Sequence, residues 1–315
     1  LSNSANYGII PQIDFFDRSI ANSDNTEGYY VIEKNDFVYN PRKSASAPYG
    51  PINVYNGEAC GIISPLYLCF KVKGINRRFL YHYFKSTKWH PYMYANGDSG
   101  ARHDRVSIKD ETFLELPIFH PGEAEQCKIV ELVESLDDRI ATQIKIIEDL
   151  KKLKSAISKT IFTGNKFECH QTTLGDVADI YQPQTIPTFL LCEENEYNVY
   201  GANGIIGKYS KYNHETSQIC IACRGNSCGA VNYSTPKSWI TGNAMVINTD
   251  GKDVDKRYLY HLLCTINFTP LISGSGQPQI VRSPLEKMKI RLPNLIIQRN
   301  ISKVLDDIES KIEIE

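Results

Sequence analysis

Long apolar runs are missing from this chain of 315 residues. No uninterrupted stretch approaches the roughly 20 apolar residues that a helix needs to span a bilayer. The opening Leu1-Ser2-Asn3-Ser4-Ala5-Asn6 lacks the charged-then-apolar order of a secretion signal. An excess of charge of either sign is missing too: 35 basic against 36 acidic residues leave a net charge of −1. That balance by itself argues for neither a nucleic acid nor a membrane, although a local basic stripe counts for more than the sum. Signatures of bound phosphate and metal are missing as well. Gly274-Ser275-Gly276-Gln277-Pro278 has neither the spacing of a nucleotide phosphate loop nor its lysine. Cys220-x2-Cys223-x4-Cys228 has no second cysteine or histidine pair, and a structural zinc normally takes four ligands. Cys220 also alternates with Ile219 and Ile221, where cysteine acts as a small hydrophobe. His82 and His261 each follow a tyrosine on an amphipathic stretch, but no Asp or Cys stands at a readable spacing for a nucleophilic triad. They read as core or hydrogen-bonded histidines. No motif of a nucleotide hydrolase, methyltransferase or nuclease is visible, so no catalytic and no metal-ligating residue is expected.

What is present is an ordinary globular composition, 42% hydrophobic and 23% charged, and a length that suits about two domains. The nine scattered cysteines, without a signal, read as reduced thiols of a cytoplasmic protein. A first residue other than Met suggests a chain that starts inside a longer product.

The middle of the sequence reads as one long helix from Pro121 to Gly164. Apolar residues recur every three or four positions: Ile129, Val133, Leu136, Ile140, Ile144, Ile147, Leu150, Leu153, Ile157 and Ile161. Charged residues such as Glu131, Asp137, Arg139, Lys145 and Lys152 fill the other faces. Pro121 suits the first turn and Gly164 the C-cap. A rod of roughly 60 Å, with no internal Gly or Pro, reads as a spacer or coiled-coil arm.

The chain also repeats itself. Arg78-Phe79-Leu80-Tyr81-His82 matches Arg257-Tyr258-Leu259-Tyr260-His261. Ser99-Gly100 matches Ser275-Gly276, and Leu116-Pro117 matches Leu292-Pro293. Gln126 and Ile129 match Gln298 and Ile301, with Leu136 and Ile140 on Ile308 and Ile312. Tyr7-Gly8-Ile9-Ile10 parallels Asn203-Gly204-Ile205-Ile206. Two copies of one unit follow, each a compact domain and then a helix. The expected division is residues 1–120 for the first domain, 121–165 for the central helix, 166–296 for the second domain and 297–315 for the start of a second helix. The packing seam is expected at Ile129, Val133, Leu136, Ile140, Ile144 and Ile147 against Ile308 and Ile312. Each domain reads as mixed α and β. Strand-like runs include Tyr29–Glu33, Asp36–Asn40, Ile62–Val72, Gln218–Cys223, Gly229–Tyr233 and Ala244–Asn248.

Residues suited to nucleic acid cluster where strands end and in the Gly/Ser-rich loops. Arg42 and Lys43 close one run; Arg224 and Asn226 close its counterpart. The loop from Gly97 to Arg105 adds Arg102 and Arg105, and the matching loop adds Ser275, Gln277 and Gln279. Arg, Asn and Gln can make bidentate contacts to base edges, and small residues let backbone N–H groups approach phosphates. Solvated turn charges explain the strand-end residues, and a plain turn the Gly274–Pro278 loop, equally well; the two arginines of the Gly97–Arg105 loop are more suggestive of DNA.

The set of motifs resembles the specificity subunits of Type I restriction–modification systems. The resemblance is carried by Asp36-Phe37-Val38-Tyr39-Asn40-Pro41-Arg42, Ile221-Ala222-Cys223-Arg224-Gly225, Ser238-Trp239-Ile240-Thr241-Gly242-Asn243-Ala244 and Ser275-Gly276-Gln277-Pro278-Gln279-Ile280. Leu292-Pro293 leading to Gln298 and Ile301 belongs to it too. What it implies is an α+β chain with two similar target recognition domains separated by long antiparallel coiled-coil helices. Each domain would read one half of a bipartite double-stranded DNA target, and helix length would set the gap. Two methyltransferase subunits would dock on the chain, and restriction subunits would join. S-adenosylmethionine, ATP and Mg would belong to those partners, with no cofactor and no active site in this chain. Against the family pattern, the first domain lacks its opening segment and the second helix is cut short. A coiled-coil scaffold with two protein-binding lobes is the reading from another class that stays open.

Overall fold

The computed structural model describes residues 1–14, 26–98, 104–164, 167–274 and 276–314. The chain divides into two compact units, Leu1–Ala141 and Thr142–Glu315.

In the first unit a hairpin of β1 (Ser2–Ser4) and β2 (Gly8–Ile10) precedes β3 (Tyr30–Ile32), β4 (Phe37–Tyr39), β5 (Ile52–Val54), β6 (Gly61–Ile63) and β7 (Leu68–Phe70). β4 is the centre of an antiparallel sheet ordered β5-β4-β7, and β3 pairs with β6. Alternate residues of a strand face opposite sides, and β4 uses both. Phe37 and Tyr39 enter a core with Phe84, Trp89, Met93 and Phe113, where the Tyr39 and Phe113 rings stack at 4.5 Å. Val38 enters a second core with Ile32, Tyr55 and Ile63. Each such side chain, fully buried, contributes about 1.5–3 kcal/mol. The run expected as one strand over Ile62–Val72 is two, β6 and β7, with a turn between them in which Tyr67 N–H donates to Ser64 O. Pro65 lies in that turn and has no N–H to offer a ladder. Helices α1 (Arg77–Lys85), α2 (His90–Asn96) and α3 (Asp110–Leu114) close the core with Leu80, Phe84, Met93 and Phe113.

α4 (Glu123–Thr163) is the long central helix, 41 residues. In the second unit β8 (His170–Thr173), α5 (Leu174–Val177) and β9 (Asp179–Tyr181) come first. Then follow β10 (Tyr197–Gly201), β11 (Gly204–Tyr209), β12 (Ile219–Ala222), β13 (Val231–Tyr233), β14 (Trp239–Ile240) and β15 (Ala244–Asn248). α6 (Lys256–Leu263), α7 (Arg282–Glu286), β16 (Lys289–Leu292) and α8 (Leu295–Ile314) complete it. The sheets run β13-β12-β15-β9, β11-β10-β14 and β16-β8. β12 repeats the two-faced role of β4: Ile219 and Ile221 enter the main core and Cys220 the smaller one. Burial pushes the Cys220 thiol up to about 12, which makes it an inert packing group.

The internal repeat is structural. β5-β4-β7 corresponds to β13-β12-β15, each a central strand between the same two neighbours in sequence order. The Gly-Ile-Ile motifs open β2 and β11, both after tight hairpin turns, with Gly8 and Gly204 at positive φ. The paired glutamines do the same work twice. Gln126 Oε1 accepts from Asn76 N–H (2.9 Å) and its Nε2 donates to Pro121 O (2.8 Å). Gln298 Oε1 accepts from Asp255 N–H (2.9 Å) and its Nε2 donates to Pro293 O (2.7 Å). Asn76 and Asp255 are themselves the N-caps of α1 and α6. Each long helix thus clamps the start of the short histidine-bearing helix through one buried amide.

A second clasp joins the same helices further along. Arg257 and His261 of α6 both bond Asp306 of α8, and Arg257 also reaches Glu309. In the first unit Arg78 and His82 of α1 meet Glu134 of α4. Lys154 Nζ bonds Glu309 at 2.8 Å, and Ile157 and Ile161 pack on the core that holds Ile301 and Leu305. Lys154 thus ties α4 to α8, and the C-terminal part of α4 helps cover the core of the second unit.

The seam is covered less fully than the periodicity suggests. Ile129, Leu136, Ile140 and Ile144 are exposed, and Val133, Ile147, Ile308 and Ile312 are half-buried. At 1.5 Å per residue the 41 residues of α4 span about 60 Å and the 20 residues of α8 about 30 Å. No helix among the described residues is long and apolar enough to cross a membrane.

Candidate nucleic-acid interface

The strand-end and loop candidates come together in pairs. In the first unit the segment after β4 lies antiparallel to the segment leading to α3. Lys43 N–H donates to Asp104 O (2.8 Å) and Val106 N–H to Pro41 O (2.9 Å), and Arg42 sits opposite Arg105. In the second unit the segment after β12 lies against the segment leading to α7. Gly225 N–H donates to Pro278 O (3.0 Å) and Ile280 N–H to Cys223 O (3.0 Å), and Arg224 sits opposite Gln279. The two zippers are one construction: corresponding residues keep a constant offset on each side. In each, the facing residues are a non-hydrogen-bonded pair, flanked by the bonds and not making them.

Local chemistry fixes both zippers. Arg42 N–H donates to Asn40 Oδ1 (3.0 Å), and Asn40 Nδ2 donates to Asn3 O (2.9 Å), which ties the strand end to the β1 hairpin. Gly50 (φ +85°) brings the following loop onto the strand end, where a Cβ would stand 2.0 Å from Asn40 O. In the second unit Ser273 and Gln279 exchange two backbone bonds of 2.8 Å. They close a loop in which Gly274 (φ +93°) leaves no room for a Cβ, which would meet Gln277 O at 2.4 Å. Gln182 Nε2 donates to Gly242 O (2.7 Å) beside Cys223.

Over each zipper lies a pocket. The first, of about 340 Å³, is lined by Asn6, Asn40, Arg42, Lys43, Ser44 and Arg105 among others. The second, of about 310 Å³, includes Tyr181, Gln182, Arg224, Gln279 and Arg282. Arg42 is exposed and pairs with Asp104 at 3.6 Å, while Lys43 and Arg105 are half-buried. Arg105 Nε is buried without a hydrogen-bond partner among the described residues. Arg224, Asn226, Gln277 and Gln279 are exposed; Asn226 and Gln277 lie in the adjoining turns and do not line the pocket. Arg102 and Ser275 lie outside the described residues. Tyr181, Gln182 and Arg282 line the second pocket with no local sequence signal, because they arrive from β9 and α7 and gain their place only through the fold.

His261, Asp306 and Glu309 place donor atoms within 4.8 Å of one another, a spacing that suits a metal. Arg257 and Lys154 already occupy both carboxylates, so the cluster reads as an ion-pair clasp. Burial alone would push the Asp306 and Glu309 carboxyls up. Hydrogen bonds from Arg257 and His261 to Asp306, and from Lys154 and Arg257 to Glu309, more than offset it and hold both below the usual carboxylate range.

Residues 168–315 match the family model described as the Type I restriction modification DNA specificity domain. A protein of Haemophilus influenzae named as a type I restriction enzyme specificity subunit is 34% identical over 111 residues, 34% of this chain and 28% of that protein. The EcoprrI specificity subunit of Escherichia coli is 26% identical over 154 residues, 47% of this chain and 38% of that one. The chain therefore matches well under two thirds of either relative. In structure, the Type I restriction–modification S subunit from M. genitalium shares the fold, with a TM-score of 0.62 at 17% identity over 94% of this chain and 81% of that one. A chain from a study of type I complex assembly and conformational transition gives 0.56 at 19% identity, over 90% and 76%. The duplicated mixed α/β fold and the long helices agree with these matches: residues 168–315 carry the Type I restriction modification DNA specificity domain, and the chain is similar to Type I restriction–modification specificity subunits.

Proposed function

We propose that this chain selects a split sequence of double-stranded DNA, each copy of the repeat reading one half. The observation that carries the reading is the recurrence of one zippered pair in both copies, presenting Arg42, Lys43 and Arg105 in one and Arg224 and Gln279 in the other. A two-stranded ribbon fits the major groove, and these side chains are the ones that bond base edges there. Neighbouring lysine and arginine can position the phosphates without reading sequence.

In this reading the chain takes no chemical step itself. Methyltransferase subunits, two by the family pattern, supply S-adenosylmethionine and modify the selected site. Restriction subunits join with their ATP and Mg. The exposed apolar stretch of α4, from Leu132 through Leu136 and Ile140 to Ile144, supports a role in assembly, since a monomer surface rarely leaves such a stripe uncovered. The test is the affinity of the assembled chain and methyltransferase for duplex DNA as salt is raised. A steep fall in the binding constant with salt, together with a sequence that resists competitor DNA, is expected. Affinity that ignores salt, or that no sequence improves, would instead favour a scaffold with protein-binding lobes.

A further inference from the structure

The two zippers share their backbone and differ in one facing side chain, Arg105 in the first and Gln279 in the second. In a non-hydrogen-bonded antiparallel pair the two side chains leave the same face, with Cβ atoms about 4.5–5.5 Å apart. The first copy therefore projects two guanidinium groups side by side. Like charges directly opposite each other on a ribbon are unfavourable unless something accepts from both. Asp104 takes one of them, at 3.6 Å from Arg42 Nε. Arg105 Nε, in the same pocket, is left without a partner among the described residues. The second copy projects Arg224 beside an exposed amide.

The chemistry of the two positions is not interchangeable. Arginine carries five donors and no acceptor, so it matches an edge made of acceptors alone. In the major groove that edge is guanine, with O6 and N7. Glutamine carries a donor and an acceptor on one planar group and matches adenine, which offers N7 as acceptor and N6 as donor. Resting on the DNA reading above, we propose that residues 105 and 279 are matching specificity positions. Arg105 selects a G·C pair in the half-site of the first copy, and Gln279 selects an A·T pair at the corresponding place in the half-site of the second. Arg42 and Arg224, common to both, supply the shared contact beside them.

The experiment is selection from a random duplex library by the complex of this chain with its methyltransferase subunit. The wild type is compared with Gln279→Arg, Gln279→Ala and Arg105→Gln. Arg105 is half-buried and Gln279 exposed, and neither belongs to a hydrophobic core, so the substitutions leave the cores intact. Gln279→Arg is expected to convert one A·T pair of one half-site to G·C, with a change in preference of about ten- to a hundredfold, leaving the other half-site untouched. Arg105→Gln is expected to make the reverse change in the other half-site, and Gln279→Ala to erase the preference at its pair alone. If the wild type enriches a split motif that Gln279→Arg leaves unchanged, or that changes at a pair which was not A·T, the assignment is wrong while the DNA reading stands. If the wild type enriches no sequence, the DNA reading falls and the assignment with it.

Discussion

Arg224 and Gln298 illustrate two different kinds of importance for a single side chain. Arg224 is exposed at the end of β12 and touches the pocket over its zipper, so its removal costs the fold little. Arg224→Ala is expected to relax discrimination at one base pair of one half-site by about 1–3 kcal/mol, seen in competition between matched and mismatched duplexes. A uniform loss over all sequences would make it a phosphate contact. Gln298 is buried and satisfies two backbone groups at once, Asp255 N–H and Pro293 O. Gln298→Ala leaves both without that partner and is expected to destabilise the chain by about 1–3 kcal/mol in urea unfolding. The exposed Gln277→Ala should stay within about 0.5 kcal/mol of wild type in the same experiment. The glutamines were visible in the sequence as a repeated position, but their work was not, because it depends on a helix some fifty residues away folding back to the same place.

At the scale of elements, the clasp between α6, α8 and α4 should make stability depend on pH. Asp306 and Glu309 sit below the usual carboxylate range, held there by Arg257, His261 and Lys154 against the opposing effect of burial. The unfolded chain therefore binds more protons near pH 4, and the stability these carboxylates add is present above that pH and lost as pH falls through their folded values. Burial lowers the His261 imidazole, more than the hydrogen bond and charge of Asp306 raise it, so protonation below about pH 6.5 also favours the unfolded chain. Both effects run in the same direction. Melting temperature should fall on acidification, first below about 6.5 and again below about 4. Asp306→Asn should lower it at neutral pH by the equivalent of about 1–2 kcal/mol and flatten the lower step. An unchanged acid limb in that variant would remove the clasp as its cause.

The elements themselves were legible to unequal degrees. α4 was readable because apolar spacing and its end residues agree, and α1 and α6 were marked by the repeated Arg-x-Leu-Tyr-His segment on an amphipathic stretch. The strand over Ile62–Val72 was not, because Pro65 divides an apolar run that otherwise looks continuous. For the candidate site, residue types at strand ends pointed to Arg42, Lys43 and Arg224. Their pairing with Arg105 and Gln279 needed the zipper, whose partner segments are far apart in sequence. The helix seam was readable as a pattern, but its coverage was not, since periodicity does not say how much of a stripe meets a partner. Ile140→Lys with Ile144→Lys should leave the melting temperature of the isolated chain unchanged, because both side chains are exposed. The same pair should weaken recovery of the methyltransferase subunit with the chain.

At the scale of the whole molecule, the proposal is that two copies of a single unit choose one split DNA sequence for partner enzymes to modify. The repeat supports it through shared sheets, shared glutamine clamps and shared zippers, and through facing side chains that differ where two half-sites must differ. The most direct measurement is adenine methylation across the host genome with the complete gene present and then deleted. One motif, made of two defined parts with a fixed gap, is expected to lose its methylation on deletion and regain it on complementation. A genome in which no split motif changes, although the chain is made and bound to its methyltransferase subunit, would contradict it.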